Sequence, residues 1–282
     1  MKLRRYYLVV TFIVAAALSG CSSSNKATSQ LLSHAHLAME RITSIQASMD
    51  MNVKIKLPNE EIHSVTQANI TAFVNPTKMK VDVTSNMSDG QTQDLVMQMY
   101  MQEADDKIIT YANAGTGWIG SKVEKDNLGQ YQIYDNIMQY LVVIENPKGA
   151  VPAKIGNVTT VRVEGLLTGD VMKKAIIDSG ILASVQSVGL SEEDLEAMLT
   201  QIGGIPITLW IGQDGLIYQY QMNMTELMQI IMDKTIELLE MEQANVDSNI
   251  IVEEASIKIQ CLTFNEAEDF EIPQEALLAE IK

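Results

Sequence analysis

The chain has 282 residues with 36 acidic and 20 basic side chains, a formal net charge of −16. Its length suits one large domain or two small ones. The excess of acid argues against nucleic acid as a partner, because the phosphate backbone is bound by Lys and Arg. It also argues against electrostatic adhesion to anionic lipid headgroups.

The N-terminal residues are typical of an export signal. Three basic residues within the first five positions precede an uncharged run, "YYLVVTFIVAAALSG", at residues 6–20. The run has 15 residues, whereas a membrane-spanning helix needs about 20. The pattern therefore predicts a cleaved secretory signal over residues 1–20.

The end of this run resembles the lipobox of bacterial lipoproteins. The residues are Leu18-Ser19-Gly20-Cys21, and in that family the cysteine thiol receives a diacylglycerol and becomes the N-terminus. The resemblance implies that Cys21 is the lipid-attachment residue, anchoring the protein on the outer face of the cytoplasmic membrane. The alternative is an uncleaved signal anchor in which Cys21 is incidental. Residues 21–27, "CSSSNKA", are small and polar, which predicts a flexible tether before a single domain at 28–282.

Cleavage after residue 20 would change both the charge and the cysteine count. The 36 acidic residues and the 17 basic residues that remain give the mature domain a formal net charge of −19. With Cys21 lipidated, Cys261 is left without an intramolecular disulfide partner. It lies in the alternating run "SIKIQCLTF", which predicts a small buried hydrophobic residue.

The first part of the domain is predicted as one helix followed by an antiparallel meander. Apolar residues at helical spacing predict a helix over residues 28–45. Alternation with a period of two then predicts strands at about 47–57, 62–74, 78–83, 95–101, 107–112 and 118–123. The strand at 95–101 is apolar on both faces, which predicts a central position covered by helices.

The second part mixes helices and strands. Helices are predicted at about 134–144, 169–186, 191–202 and 226–244, and strands at 158–167 and 250–264. Ser191 with Asp194 three residues later is a variant of the capping box. The segment "IPITLWIGQDGLIYQYQMNMT" predicts a hairpin turned by Asp214-Gly215, and Pro273 opens a short terminal helix.

Together these elements predict an α+β domain with one long, curved antiparallel sheet and helices gathered against one face. Their order, with Trp210, Asp214-Gly215 and Phe270-Ile272-Pro273 as landmarks, resembles the LolA/LppX-type lipoprotein-carrier superfamily over roughly residues 28–275. It is most similar to an uncharacterised group of Gram-positive bacterial lipoproteins. The resemblance implies a half-barrel with helices packed on its concave face, a Gram-positive host and no catalytic residues. The block 165–204 departs from it in being longer and more helical.

Motifs that carry chemistry in other proteins fail here on spacing or position. "GTGWIGSK" nearly matches a phosphate-binding loop, but it ends in Ser-Lys where that loop has Lys followed by Ser or Thr, and predicted strands flank it. We therefore interpret it as a hairpin loop. No metal site is predicted, because His34 and His36 point to different sides of a helix and "SNMSDGQTQD" lacks calcium ligands. No G-x-S-x-G occurs. The sequence therefore predicts neither an enzyme nor a cofactor.

Methionine is unusually frequent, at 17 residues, while aromatic residues make up only 5%. Flexible, polarizable methionines suit a surface that repacks around varied apolar partners, whereas a rigid stacking platform for sugars needs aromatic rings. The candidate ligand-binding residues share strand faces: Met49, Met51, Met97, Met99, Met101, Met222 and Met224. The competing interpretation is that these methionines fill the core.

The sequence leaves two functions open. The first is a lipid-anchored carrier or binding protein that holds an acyl chain or similar apolar ligand between the curved sheet and its helices, with 169–202 as a lid. The second is a non-enzymatic module with a filled core that docks on another envelope protein. The presence of an internal space distinguishes the two.

Overall fold

The computed structural model describes residues 20–88, 93–104, 107–124, 144–178, 191–242 and 249–281. Within these ranges the chain forms eleven strands and five helices. The strands are β1 (Ser44–Lys56), β2 (Glu61–Phe73), β3 (Lys78–Ser88), β4 (Gln93–Ala104), β5 (Lys107–Asn113), β6 (Trp118–Glu124), β7 (Glu145–Ile155), β8 (Val158–Leu167), β9 (Ile205–Gly212), β10 (Ile217–Asn223) and β11 (Ile251–Phe264). The helices are α1 (Gly20–Met39), α2 (Gly169–Asp178), α3 (Glu192–Gln201), α4 (Thr225–Glu242) and α5 (Gln274–Leu277).

All eleven strands belong to one antiparallel sheet. Their order is β6-β5-β4-β3-β2-β1-β11-β10-β9-β8-β7, so β1 and β11 meet near the centre and join two meanders. The sheet is long, curved and unclosed, with β6 and β7 at its two ends. The predicted fold class is confirmed.

The first helix differs from its prediction at both ends. It stops at Met39 rather than continuing to residue 45, and the chain turns into β1, where Thr43 N donates to Asn265 Oδ1 at 2.7 Å. At the other end it begins at Gly20 and includes residues 21–27, which were predicted as a tether. That stretch contains neither Pro nor Gly, so it can extend a helix that residues 28–39 have nucleated. The division into signal, tether and domain stays a prediction.

Strand β7 was missed by the sequence analysis. Its sequence, "ENPKGAVPAKI", contains Pro147, Gly149 and Pro152, which weaken any strand pattern. The structure explains why they are tolerated: β7 is the last strand of the sheet and pairs only with β8, through two register shifts. Proline removes a backbone donor, which costs least on an edge. The predicted helix at 134–144 falls outside the described residues except for Ile144.

Local signals at caps and turns are confirmed. Asp194 N donates to Ser191 Oγ at 3.1 Å, and Ser191 N donates back to Asp194 Oδ2 at 2.9 Å, which completes the capping box of α3. Gly215 has φ +83° in the β9–β10 turn, a backbone conformation that favours glycine. An added Cβ there would lie 2.8 Å from His34 Nδ1 of α1, so the turn and α1 are closely packed.

The two faces of the sheet carry different cores. We call the face that bears Met49 and Met51 the inner face, and its buried residues form the main core together with residues of α1 to α4. The opposite, outer face has a small second core around Tyr100 and Tyr111, covered by the C-terminal segment through Phe270 and Ala276. Helices α1 to α4 therefore pack on one face, as predicted, whereas the short helix α5 packs on the outer face.

Candidate functional site

Strand pairing brings most of the predicted methionines onto the inner face. Because side chains alternate along a strand, residues that pair directly point to the same side of the sheet. One cross-strand row on this face runs Met97, Val83, Ala68, Met49, Ile259, Tyr220, Leu209 and Val163. The next row runs Leu95, Ser85, Thr66, Met51, Ile257, Met222 and Ile207.

Burial changes along this second row, from one side of the sheet to the other. At one end Ile207 is 1% exposed and Met222 is 7% exposed, whereas at the other end Leu95 is 51% exposed. Met51 and Ile257, between them, are half-buried. The row is therefore covered over β9 and β10 and uncovered by β4.

We call the uncovered region the open inner face. Its apolar members are Met49, Met51, Val53, Met87, Leu95, Met97 and Met99. Two of them, Met87 and Leu95, are exposed, and the other five are half-buried. Because these side chains adjoin one another on one face, they form a candidate surface for an apolar ligand.

Helix α4 marks the border of the covered region. Strand β10 ends where Asn223 pairs with Ser256, so residues 251–255 of β11 have no strand partner on that side among the described residues. Helix α4 supplies the missing hydrogen bonds: Ala255 N donates to Thr225 Oγ1 at 3.0 Å, and Val252 N donates to Gln229 Oε1 at 2.6 Å. Satisfied backbone groups fix α4 against β11, while the strands from β1 to β4 carry the open inner face.

The open inner face also contains hydroxyl groups. Thr66 Oγ1 and Ser85 Oγ lie 2.9 Å apart on adjacent strands, in the row of Met51 and Leu95. Ser64 follows in the next row, which pairs it with Val53 and Met87. The sequence analysis did not identify Thr66, Ser85 and Ser64. Only the pairing register of the strands brings these residues together, so knowledge of that register would have been needed to find them.

The seven predicted methionines are not in equivalent environments. Met49, Met51, Met97 and Met99 are half-buried on the open inner face. Met101, Met222 and Met224 are buried in the main core, where they contact other core residues rather than an open surface. The register places Met222 in the row of Met51 and Met101 on the face of Met99, so burial rather than register separates the three core methionines from the other four.

The assignment of β4 as a strand covered on both faces is wrong. Leu95, on the inner face, and Val96, on the outer face, are 51% and 60% exposed. Only the part of β4 near Tyr100 and Met101 is buried on both sides. The apolar pattern of 95–101 therefore reflects a surface as well as a core.

Cys21 lies in the first turn of α1, and its role in lipid attachment stays a prediction. Cys261 is 2% exposed in the core, and burial raises the pKa of its thiol to about 12. The prediction that Cys261 is a small buried residue is confirmed. A thiol with so high a pKa is a poor nucleophile at neutral pH.

The glycine motif forms the β5–β6 hairpin, as predicted, with its loop at residues 114–117 and Gly120 inside β6. Gly115 and Gly117 both have positive φ, and the backbone N–H of each donates to Asn113 Oδ1. Among the described residues, no group of three His, Cys, Asp or Glu side chains is arranged to hold a metal ion. No helix in the same ranges combines the length and apolarity that crossing a bilayer requires.

Two pockets lined by described residues lie among the helices. One of about 380 Å³ is lined by residues of α2 and α3, including Met172, Lys173 and Glu196. The other, of about 290 Å³, lies between α3 and α4. None of the predicted methionines lines either pocket, so the open inner face is a separate feature.

Comparison with known proteins gives one family model and a set of solved structures. A model described as a family of unknown function (DUF6612) matches residues 27–137, less than half of the chain. No curated protein matches the sequence.

Three similar structures illustrate the fold. Lipoprotein LppX of Mycobacterium tuberculosis is 14% identical, with 88% of this chain and 100% of that chain covered and a TM-score of 0.48. LprF of Mycobacterium bovis is 12% identical, with 89% and 98% covered and a TM-score of 0.45. A DUF1329 family protein of Desulfovibrio piger is 8% identical, with 86% and 92% covered and a TM-score of 0.25. The chain is thus similar to structures of the predicted LolA/LppX type, while its membership of that superfamily and the Gram-positive group within it stay predictions.

Proposed function

We propose that this protein is a membrane-anchored extracytoplasmic lipoprotein that binds an acyl chain or similar apolar ligand on the open inner face. The observation that carries the proposal is the row from Leu95 to Ile207. Along this row the exposure falls from 51% at Leu95 to 1% at Ile207, and its members are apolar apart from Ser85 and Thr66. A ligand on the uncovered part of this row would extend the main core, which the helices complete over β9 and β10.

The residue types fit an aliphatic ligand. Met49, Met51, Met97 and Met99 are flexible thioethers that adapt to different chain shapes. Each methylene group that leaves water contributes about 0.8 kcal/mol, so the length of buried chain would dominate affinity. Binding would be reversible, since nothing in this mechanism requires a covalent step, and we propose no enzymatic activity.

Anchoring follows from the N-terminal sequence. A diacylglyceryl group on Cys21 would hold the domain at the outer face of the cytoplasmic membrane, because two acyl chains anchor far more stably than one. Acyl chains of the same membrane would then be the nearest apolar ligands.

The test uses two adjacent residues of β4 that differ in the face they occupy. Leu95 on the inner face and Val96 on the outer face are both more than half exposed, so Asp at either position should leave the fold intact. We would purify residues 21–282 carrying Cys21→Ser without detergent and compare native and denatured masses. A bound species extracted into organic solvent would be identified by its own mass.

The expected result is an acyl-chain species bound to the parent protein and to Val96→Asp but lost from Leu95→Asp. Loss from both variants, or from neither, would contradict binding on the open inner face. A bare chain that takes up no added lipid would instead favour the alternative, a module that docks on another envelope protein.

A further inference from the structure

The open inner face is rich in methionine. Five of its seven apolar members are methionines, on strands β1, β3 and β4: Met49, Met51, Met87, Met97 and Met99. The strand register places Met49 and Met97 in one cross-strand row, with Met99 in the row on one side and Met51 and then Met87 in the rows on the other. Successive rows on one face are about 7 Å apart. Each of these rows therefore carries a thioether.

Burial divides the methionines whose side chains the structure describes into two groups. Seven are buried in the main core, each at 7% exposure or less: Met39, Met79, Met101, Met172, Met198, Met222 and Met224. The other seven are half-buried or exposed, and five of these are the methionines of the open inner face. The remaining two, Met228 and Met232, are half-buried on α4. Accessible thioethers are thus concentrated on the surface that carries the proposed ligand site.

Two strands carry both kinds of methionine on the same face. On β3, Met87 is 44% exposed, whereas Met79 is 4% exposed. On β4, Met99 is half-buried, whereas Met101 is 1% exposed. Met79 and Met101 pair directly with each other, so the buried members form one contact inside the core. Each strand therefore supplies an accessible methionine together with a matched buried one.

Methionine differs from the Leu, Ile and Val of the covered region in that its sulfur can be oxidised. With a peroxide, a sulfur lone pair attacks one peroxide oxygen, the O–O bond breaks, and the second oxygen leaves as water or an alcohol. The thioether loses two electrons and becomes a sulfoxide, which methionine sulfoxide reductases can reverse. A sulfoxide is a polar acceptor, and an acyl chain offers it no hydrogen-bond donor. Burying it beneath such a chain is therefore unfavourable.

We infer that the open inner face is a site of methionine oxidation by peroxides, and that conversion of its thioethers to sulfoxides releases the apolar ligand. The release rests on the proposed function, whereas the position of the oxidation rests on burial alone. A bound acyl chain would cover the sulfurs, so ligand and oxidant exclude each other from this face. Cys261, at 2% exposure, is too buried to compete for the oxidant.

The first experiment locates the sulfoxides. The Cys21→Ser protein, residues 21–282, is treated with hydrogen peroxide for increasing times and mapped by tandem mass spectrometry of its peptides. Met87 should be oxidised at least about tenfold faster than Met79, and Met99 faster than Met101, because susceptibility follows exposure. Oleate, added below its aggregation concentration, should slow the oxidation of Met87 and Met97.

The second experiment measures oleate binding before and after oxidation. Peroxide should weaken binding by at least about tenfold, a change of about 1.4 kcal/mol. Methionine sulfoxide reductases A and B, which together reduce both sulfoxide epimers, should restore it.

A five-leucine variant tests whether the thioethers of this face are responsible. It carries Met49→Leu, Met51→Leu, Met87→Leu, Met97→Leu and Met99→Leu. Leucine keeps the surface apolar at similar volume and has no sulfur, so this variant should bind oleate equally well with and without peroxide. The matched control carries Met228→Leu and Met232→Leu on α4, and it should stay as sensitive to peroxide as the parent.

The outcomes distinguish this inference from the function on which it rests. Equal oxidation rates of Met87 and Met79 would overturn the assignment of the site. The release is overturned if peroxide weakens binding by the five-leucine variant as much as by the parent, or if the reductases do not restore binding by the parent. If the untreated protein does not bind oleate, the proposed function fails and the release fails with it. The sulfoxide map still decides the site, since it needs no ligand.

Discussion

The inner face of the sheet has two regions with similar residues and different exposure. Over β8 to β10 it carries Ile, Leu and Val side chains that are almost completely buried by the helices. Over the ends of β1 to β4 that bear Met51, Met87 and Leu95 it carries side chains that are half-buried or exposed, while Ala47 and Met101 at the other ends of these strands are buried. The rows are continuous between the two, so the difference lies in what covers them. The comparison teaches that residue type alone does not tell a core from a binding surface in this fold.

Thiol reactivity should show the largest difference between the regions. In a Cys21→Ser background, Cys261 should react with iodoacetamide about a thousandfold more slowly than a cysteine at position 95 (Leu95→Cys). Its pKa of about 12 suppresses the thiolate, and only 2% of the residue is exposed. Timed alkylation followed by mass spectrometry measures both rates. Comparable rates would mean that the covered region opens readily to solvent, which would contradict the difference in exposure between the two regions.

Truncation within one row should separate the regions by stability. Leu209 is 1% exposed and Met97 in the same row is half-buried. We expect Leu209→Ala to lower the free energy of unfolding by about 3 kcal/mol, since it leaves a cavity in the core. Met97→Ala should cost less than about 1 kcal/mol, because its side chain is already in partial contact with solvent. Urea denaturation measures both; equal losses would show that Met97 is a core residue.

Removal of the Gln229 side chain, which hydrogen-bonds α4 to β11, tests the border between the covered and uncovered regions. Gln229→Ala leaves Val252 N and Ile250 O without their side-chain partner, at a cost of about 2 kcal/mol. Hydrogen exchange at Val252 should accelerate, while exchange in β8 and β9 stays slow. Gln201→Ala, in an exposed position at the end of α3, is the control. Uniform acceleration across the sheet would indicate global destabilisation instead.

The smallest effect is expected on the outer face. The hydrogen bond from Lys258, with a second one from Gln67, lowers the pKa of Asp50 below its ordinary value of 3.8. A depressed carboxyl pKa contributes stability that is complete above the unfolded value and is lost as the pH falls through the folded one. Because the pair is partly exposed, Asp50→Asn should cost about 0.5 kcal/mol at pH 7. The difference between Asp50→Asn and the parent should shrink as the pH falls below 3.8 through the lowered pKa of Asp50, as followed by denaturation at several pH values.

Local chemistry made much of the fold predictable. Asp214-Gly215 and the Ser191–Asp194 box act within a few residues, so their turn and cap are visible in the sequence. The alternation in β1 to β3 and in β8 to β11 likewise follows from one face being apolar. Strand β7 escaped prediction because its prolines are tolerated only on an edge, and edge position depends on the whole sheet.

The candidate site was predictable only in part. Shared strand faces indicated Met49 with Met51 and Met97 with Met99, because alternation is a local property. That Met222 and Met224 are buried while Leu95 is exposed depends on where α4 lies. The Thr66–Ser85 pair depends on the register between two strands. Both are tertiary properties that no single segment encodes.

The pairing of β1 with β11 has a consequence for folding. Ile45 pairs with Phe264, so the contact that joins the two meanders closes a loop of about two hundred residues. Contacts this distant in sequence slow folding, because the loop entropy is lost before the contact forms. Each meander can form its own local hairpins early, but the pairing of β1 with β11 forms only once β11, the last strand in the chain, is available. During synthesis, which starts at the N-terminus, the chain therefore cannot complete its sheet until residue 264 is free to pair.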